Sequence, residues 1–202
     1  MATVRPFKSL SPKAALASQV ASLPYDVMNS EEAKEMAAGN PFSFLHVSKA
    51  EIDLPQNTSQ YSESVYEKAT ANFKKLIADG VLVKDENASF YIYSLTMNGR
   101  TQTGLVACCS IEEYENNIIK KHEFTRPEKE EDRIKHIATL EAQTGPIFLT
   151  YRDNDAIDKI VENYVSQPPL YSFVANDGVK HEVWRVGDVP AVRTLVQLFA
   201  QN

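Results

Sequence analysis

Apolar positions along the chain change their period repeatedly, and each change predicts an element. From about Ser62 to Asp79, Val65, Ala69, Phe73, Leu76 and Ile77 fall on one stripe of a helix, with Gly80 as its stop. Ser89–Met97 and Arg100–Ser110 flank Asn98-Gly99, the pair favoured in a two-residue type I′ turn, and predict a β-hairpin. In its first strand Phe90, Ile92 and Ser94 alternate with Tyr91, Tyr93 and Leu95, so both faces carry apolar residues. That pattern suits a strand covered on both sides. A second hairpin is predicted over Leu170–Ala175 and Val179–Val186, around Asn176-Asp177-Gly178.

Weaker signals fill in the rest. Asn29 with Glu32 predicts a capping box for a helix stopping at Gly39, Ser110 with Glu113 caps a short turn, and Thr125 with Glu128 offers a box for a helix through about Ala142. Asp153 starts a helix to about Ser166, and Val189–Ala200 forms a last one. The apolar run Phe42–Val47 reads as extended, and Pro146–Tyr151 as a buried strand. The expected class is α+β or mixed α/β, predominantly antiparallel hairpins with flanking helices. The expected organisation is a single domain over 1–202, with any subdivision near 85–120.

Composition adds exclusions. Apolar residues at 43% and charged residues at 24% are ordinary for a globular chain. The net charge of −6 repels phosphate backbones, and the Lys120, Lys121 and Arg126 cluster is followed by Glu128, Glu130, Glu131 and Asp132. No nucleic-acid partner is expected. Cys108 and Cys109, neighbours on a predicted strand, point to opposite faces and read as small buried hydrophobes, without a disulfide. That usage suits a reducing compartment. No run approaches the roughly 18 apolar residues of a membrane span, and the N-terminus lacks a signal core. The cytoplasm is the expected location, with no membrane partner.

Phosphate-binding glycine loops, dinucleotide fingerprints and nucleophile elbows are absent from the sequence. His122-Glu123 begins a zinc-protease motif, but Arg126 stands where its second His should be, so no metal site is assigned. The segment Lys120–Pro127 should lead into a helix N-terminus, where free N–H groups favour anions. Within that helix Lys129, Asp132, Arg133 and His136 are three and four apart and share one face. Such a face could hold a phosphate or carboxylate through Arg133, with His136 as proton carrier and Asp132 as orienter or metal ligand, while Arg126 lies at the helix terminus after His122-Glu123. It could equally be a solvated face of ordinary ion pairs, and both readings stand. Tyr25-Asp26 in a Pro-bounded turn and His46 are further candidate contacts, each with a plain structural alternative: a turn in which Asp bonds its own backbone, and a satisfied buried His.

The same segments carry a resemblance. Arg5-Pro6-Phe7, Pro24-Tyr25-Asp26-Val27, Asn40-Pro41-Phe42-Ser43-Phe44-Leu45-His46-Val47, the run Lys121 to Pro127 with Asp132-Arg133, and Gln143-Thr144-Gly145-Pro146 resemble, in order, the domain of unknown function 1015 family of bacteria and archaea. Members are about twice this length. Their second half carries an Asp-Gly-His-His-Arg motif similar to phosphate-binding motifs of the ParB/sulfiredoxin-like superfamily, which includes nucleotide hydrolases and free-serine kinases. Members also tend to be encoded near serine-biosynthesis enzymes. No Gly-His-His-Arg occurs in this chain.

The resemblance implies a fold ParB/sulfiredoxin-like in part and the N-terminal portion of a longer architecture. It also implies a domain binding a nucleotide, with a divalent cation as cofactor, or a small phosphorylated metabolite linked to serine metabolism. Longer relatives would be small-metabolite kinases or nucleotide hydrolases, while this chain alone would turn nothing over. The candidate set is then His122, Glu123 and Asp132 as catalytic groups, with Arg126, Arg133, His136, Tyr25, Asp26 and His46 as ligand contacts. A non-catalytic structural or protein-interaction domain is the alternative. Leu195, Val196, Leu198 and Phe199 on the last helix are expected to be poorly covered, leading to self-association through that helix or a nearby sheet edge.

Overall fold

In the computed structural model, which describes residues 2–122 and 125–201, Asn98 and Gly99 adopt positive φ of 52° and 77°. They turn the strand Phe90–Met97 back as Arg100–Val106. Two consecutive left-handed residues give the turn the twist of its strands, and an Asn-Gly pair adopts that conformation readily. The predicted second hairpin forms too, as Tyr171–Val174 and Lys180–Val186. Together they make a four-stranded antiparallel sheet in which Phe90–Met97 lies between Arg100–Val106 and Lys180–Val186, with Tyr171–Val174 on the outer edge.

This sheet belongs to the first of two compact units, composed of Met1–Ala14, Lys84–Glu123 and Phe148–Asn202. The helices Asp155–Val165 and Val189–Gln201 cover one face, where Ile157 and Leu195 meet Phe90, Ile92, Trp184 and Val186. The register sets Phe90 opposite Val186 and Ile92 opposite Trp184, so alternate residues of both strands enter one core. The other face carries Tyr91, packed on Phe7 at 5.2 Å between ring centroids. Beside it Phe173, His181 and Tyr93 stack, and Tyr93 and His181 share a 2.7 Å hydrogen bond.

Three expectations are corrected in this unit. Leu195 is 0% exposed and Phe199 7%, so the last helix closes its own core and does not leave an open apolar patch. The expectation that these two residues are poorly covered is thereby overturned. Cys108 and Cys109 are free but exposed, because they form a two-residue strand paired with Val4–Arg5 alone. The 153–166 helix is capped by Asn154, whose side chain accepts from the N–H groups of Ala156 and Ile157, and not by Asp153.

The second unit, Ala15–Val83 with Phe124–Ile147, is helical. The helix Glu63–Ala78 buries Val65, Tyr66, Ala69, Phe73 and Leu76, while Ile77, assigned above to the same stripe, is 40% exposed. Gly80, at φ 65°, ends it as predicted. The box at Asn29 forms in full: Glu32 N–H donates to Asn29 Oδ1 at 2.9 Å, and Asn29 N–H to Glu32 Oε2 at 2.8 Å. The run Phe42–Val47 is not extended. Ser43 and Phe44 carbonyls accept from His46 and Val47, and a helical turn, Leu45–Ser48, follows. A short apolar run does not distinguish a strand from a buried turn of helix.

Thr125 and Glu128 do not make the expected box. Arg126 takes the N-cap position without a side-chain bond, Pro127 opens the helix Pro127–Leu140, and the Thr125 hydroxyl donates to Glu130 instead. Pro146–Tyr151, expected as a buried strand, has no strand structure, and Ile147 and Phe148 are 70% and 72% exposed. Apolar content alone supplies no ladder partner. No helix among the described residues is long and apolar enough to cross a membrane.

Candidate functional site

The sequence placed Lys129, Asp132, Arg133 and His136 on one helix face, and that face forms a wall of a cavity inside the helical unit. The Asn29 cap holds Met28, Asn29 and Ser30 on a second wall, joined by Val47–Glu51, which begins within the Leu45–Ser48 turn. Gln60, Tyr61, Val65 and Tyr66, at and before the start of the long helix, form a third, and Tyr25 and Asp26 complete the lining. The cavity volume is about 190 Å³.

Asp132 organises the helix wall. It is 8% exposed, and its carboxylate accepts from Tyr66 Oη at 2.8 Å and from Arg133 Nε at 2.9 Å. Burial, and then this carboxylate, push the Tyr66 phenol upward, so it stays a proton donor. The Arg133 guanidinium is fixed from its other side by the Tyr25 ring, 3.9 Å from the centroid, a cation–π geometry. Arg133 is therefore braced before any ligand arrives. Across the cavity Lys49 and Glu51 form an ion pair of 3.1 Å with both side chains 8% exposed, and the Ser30 hydroxyl donates to Glu51 at 2.8 Å.

His136 is 4% exposed, and its Nε2 has no hydrogen-bond partner. Burial first, and the Arg133 charge second, push its imidazole down to about 4, against the upward pull of Asp132 and Glu51. At neutral pH it is an uncharged ring with one unsatisfied nitrogen. A buried polar atom left without a partner costs about 1–3 kcal/mol, and a site that binds something is one way such an atom persists.

Five expected site residues, Tyr25, Asp26, Asp132, Arg133 and His136, thus line one cavity. His46 does not. Its Nδ1 bonds Asp53 at 2.8 Å and its Nε2 meets the Asn40 carbonyl at 3.2 Å, so both ring nitrogens are engaged in structure. Arg126 is exposed at the helix start, outside the lining, and His122 belongs to the sheet unit. Glu123 lies outside the described residues. Lys49, Glu51 and Tyr66 were missed. Lys49-Ala50-Glu51 directly after an apolar run was the available signal, since charges flanked by core residues need each other. Among the described residues no group of three or more His, Cys, Asp or Glu is arranged to hold a metal ion.

A mixed α+β chain with a small polar cavity in its helical part is thereby defined. The sequence model of the family described as "Protein of unknown function (DUF1015)" matches residues 4–202, and the chain belongs to that family. Neither a curated protein nor a solved structure matches it.

Proposed function

We propose that the helical unit binds a compact phosphorylated metabolite in this cavity. The observation that carries the reading is the buried, unpartnered His136 Nε2 beside a guanidinium already held by Asp132 and Tyr25. Arg presents a rigid fork suited to phosphate, and bracing it beforehand reduces the entropy lost on binding. Lys129 on the same lining adds a positive charge, while Lys49 is neutralised by Glu51. The volume of about 190 Å³ is below the roughly 300–1,000 Å³ of sites that enclose drug-sized ligands. It therefore favours a small phosphate ester over a nucleotide with its divalent cation. In this reading Asp132 is a positioning residue for Arg133, and His136 is the group able to take or give a proton at the ligand. A link to serine metabolism is part of the proposal only through the family resemblance.

Calorimetric titration with inorganic phosphate, small phosphate monoesters including those of the serine pathway, and ATP tests it. Arg133→Ala should weaken binding of the monoesters by about 1.5–3 kcal/mol, roughly ten- to a hundredfold, the worth of a charged hydrogen bond. Arg126→Ala should leave it unchanged. Absence of heat with every compound, or a loss on changing Arg126 and not Arg133, would overturn the reading and leave a structural or protein-interaction domain.

A further inference from the structure

The charges around the cavity balance, and the balance constrains the ligand. Its lining holds three cations, Lys49, Lys129 and Arg133, and three carboxylates, Asp26, Glu51 and Asp132. Four of these six are committed within the protein, as Lys49 with Glu51 and Arg133 with Asp132. Asp26 and Lys129 make no side-chain hydrogen bond or ion pair among the described residues. One uncommitted positive and one uncommitted negative group therefore remain, together with the unpartnered His136 Nε2.

A phosphate ester carries close to two negative charges at neutral pH. Lys129 and the braced Arg133 can meet that end, but a ligand with nothing else would be repelled by Asp26 on the cavity lining. A protonated amine supplies the missing charge. It also has several N–H groups, so it can donate to Asp26 or to a neutral imidazole nitrogen. A hydroxyl could satisfy His136, but it would give Asp26 no charge. Accepting the phosphate site proposed above, we infer that its ligand is an aminated phosphate ester, with a primary ammonium recognised by Asp26 and His136 and a phosphate recognised by Arg133 and Lys129.

A matched pair of probes separates the two claims. Phosphoethanolamine and ethyl phosphate have nearly the same size and phosphate, and only the first has an ammonium group. Titrated into the full chain at pH 7.5 and low salt, phosphoethanolamine should bind at least tenfold more tightly. Asp26→Asn should remove most of that preference, by weakening phosphoethanolamine binding and leaving ethyl phosphate binding unchanged or tighter as the repulsion is lost. Asp26 is exposed on a turn, so this variant is expected to keep the parent melting temperature. Equal affinities for the two compounds would overturn the ammonium inference and leave the phosphate site standing. A preference that survives Asp26→Asn undiminished would also overturn it. Binding of neither compound would remove the phosphate reading itself and, with it, the inference.

Discussion

Acidification from pH 7 toward pH 4 is expected to destabilise the cavity-bearing unit through His136. In the folded chain this imidazole takes its proton at about 4, against an ordinary 6.5. Above pH 6.5 it is neutral folded or unfolded and contributes no pH dependence. Between 6.5 and about 4 the unfolded chain binds a proton that the folded chain refuses, so stability falls as pH falls. At about 1.4 kcal/mol per pH unit, the loss accumulates to about 3 kcal/mol by pH 4. The groups facing the ring are Arg133, Asp132 and Glu51.

Urea unfolding followed by circular dichroism, at half-unit steps from pH 7 to 4.5, measures the effect for the parent chain and for His136→Gln. Glutamine removes the titration and keeps a polar side chain. The difference between parent and variant stabilities should therefore slope with pH by close to one proton, whatever the absolute cost of the replacement. Carboxylate titrations common to both chains cancel. Similar urea dependence of the two chains would show that the same cooperative transition is compared. A His136 ring resonance titrating near 6.5, or parallel stability curves for the two chains, would refute the reasoning.

Two further outcomes test the fold. Gly99→Ala should cost roughly 1–2 kcal/mol, the left-handed penalty of a Cβ, because φ is 77° and nothing lies within 4 Å to add a clash. An unchanged urea midpoint would argue against the hairpin turn. Leu195→Ala should cost about 2–5 kcal/mol, since the side chain is 0% exposed against the sheet. The emission of Trp184, the single tryptophan, follows it from the same core, and a change below 0.5 kcal/mol would show that the last helix is not packed there.

What the sequence determined is what depends on neighbours within a few residues. Asn98-Gly99 specified its turn by backbone preference, Asn29 with Glu32 specified a helix start by two reciprocal hydrogen bonds, and the spacing of Lys129, Asp132, Arg133 and His136 placed them on one face. Tertiary structure alone decided whether that face met solvent or a cavity. Tyr66 reaches Asp132 across 66 positions of sequence, and Tyr25 lies under Arg133 from more than 100 residues away. The same limit explains the errors. Phe42–Val47 and Pro146–Tyr151 are both apolar, yet one forms a buried turn of helix and the other exposes Ile147 and Phe148. A local pattern gives the hydrophobicity of a segment but not its partner. The ring of His136 is likewise neutral only because burial and the Arg133 charge disfavour its proton, and both come from residues brought together by the fold.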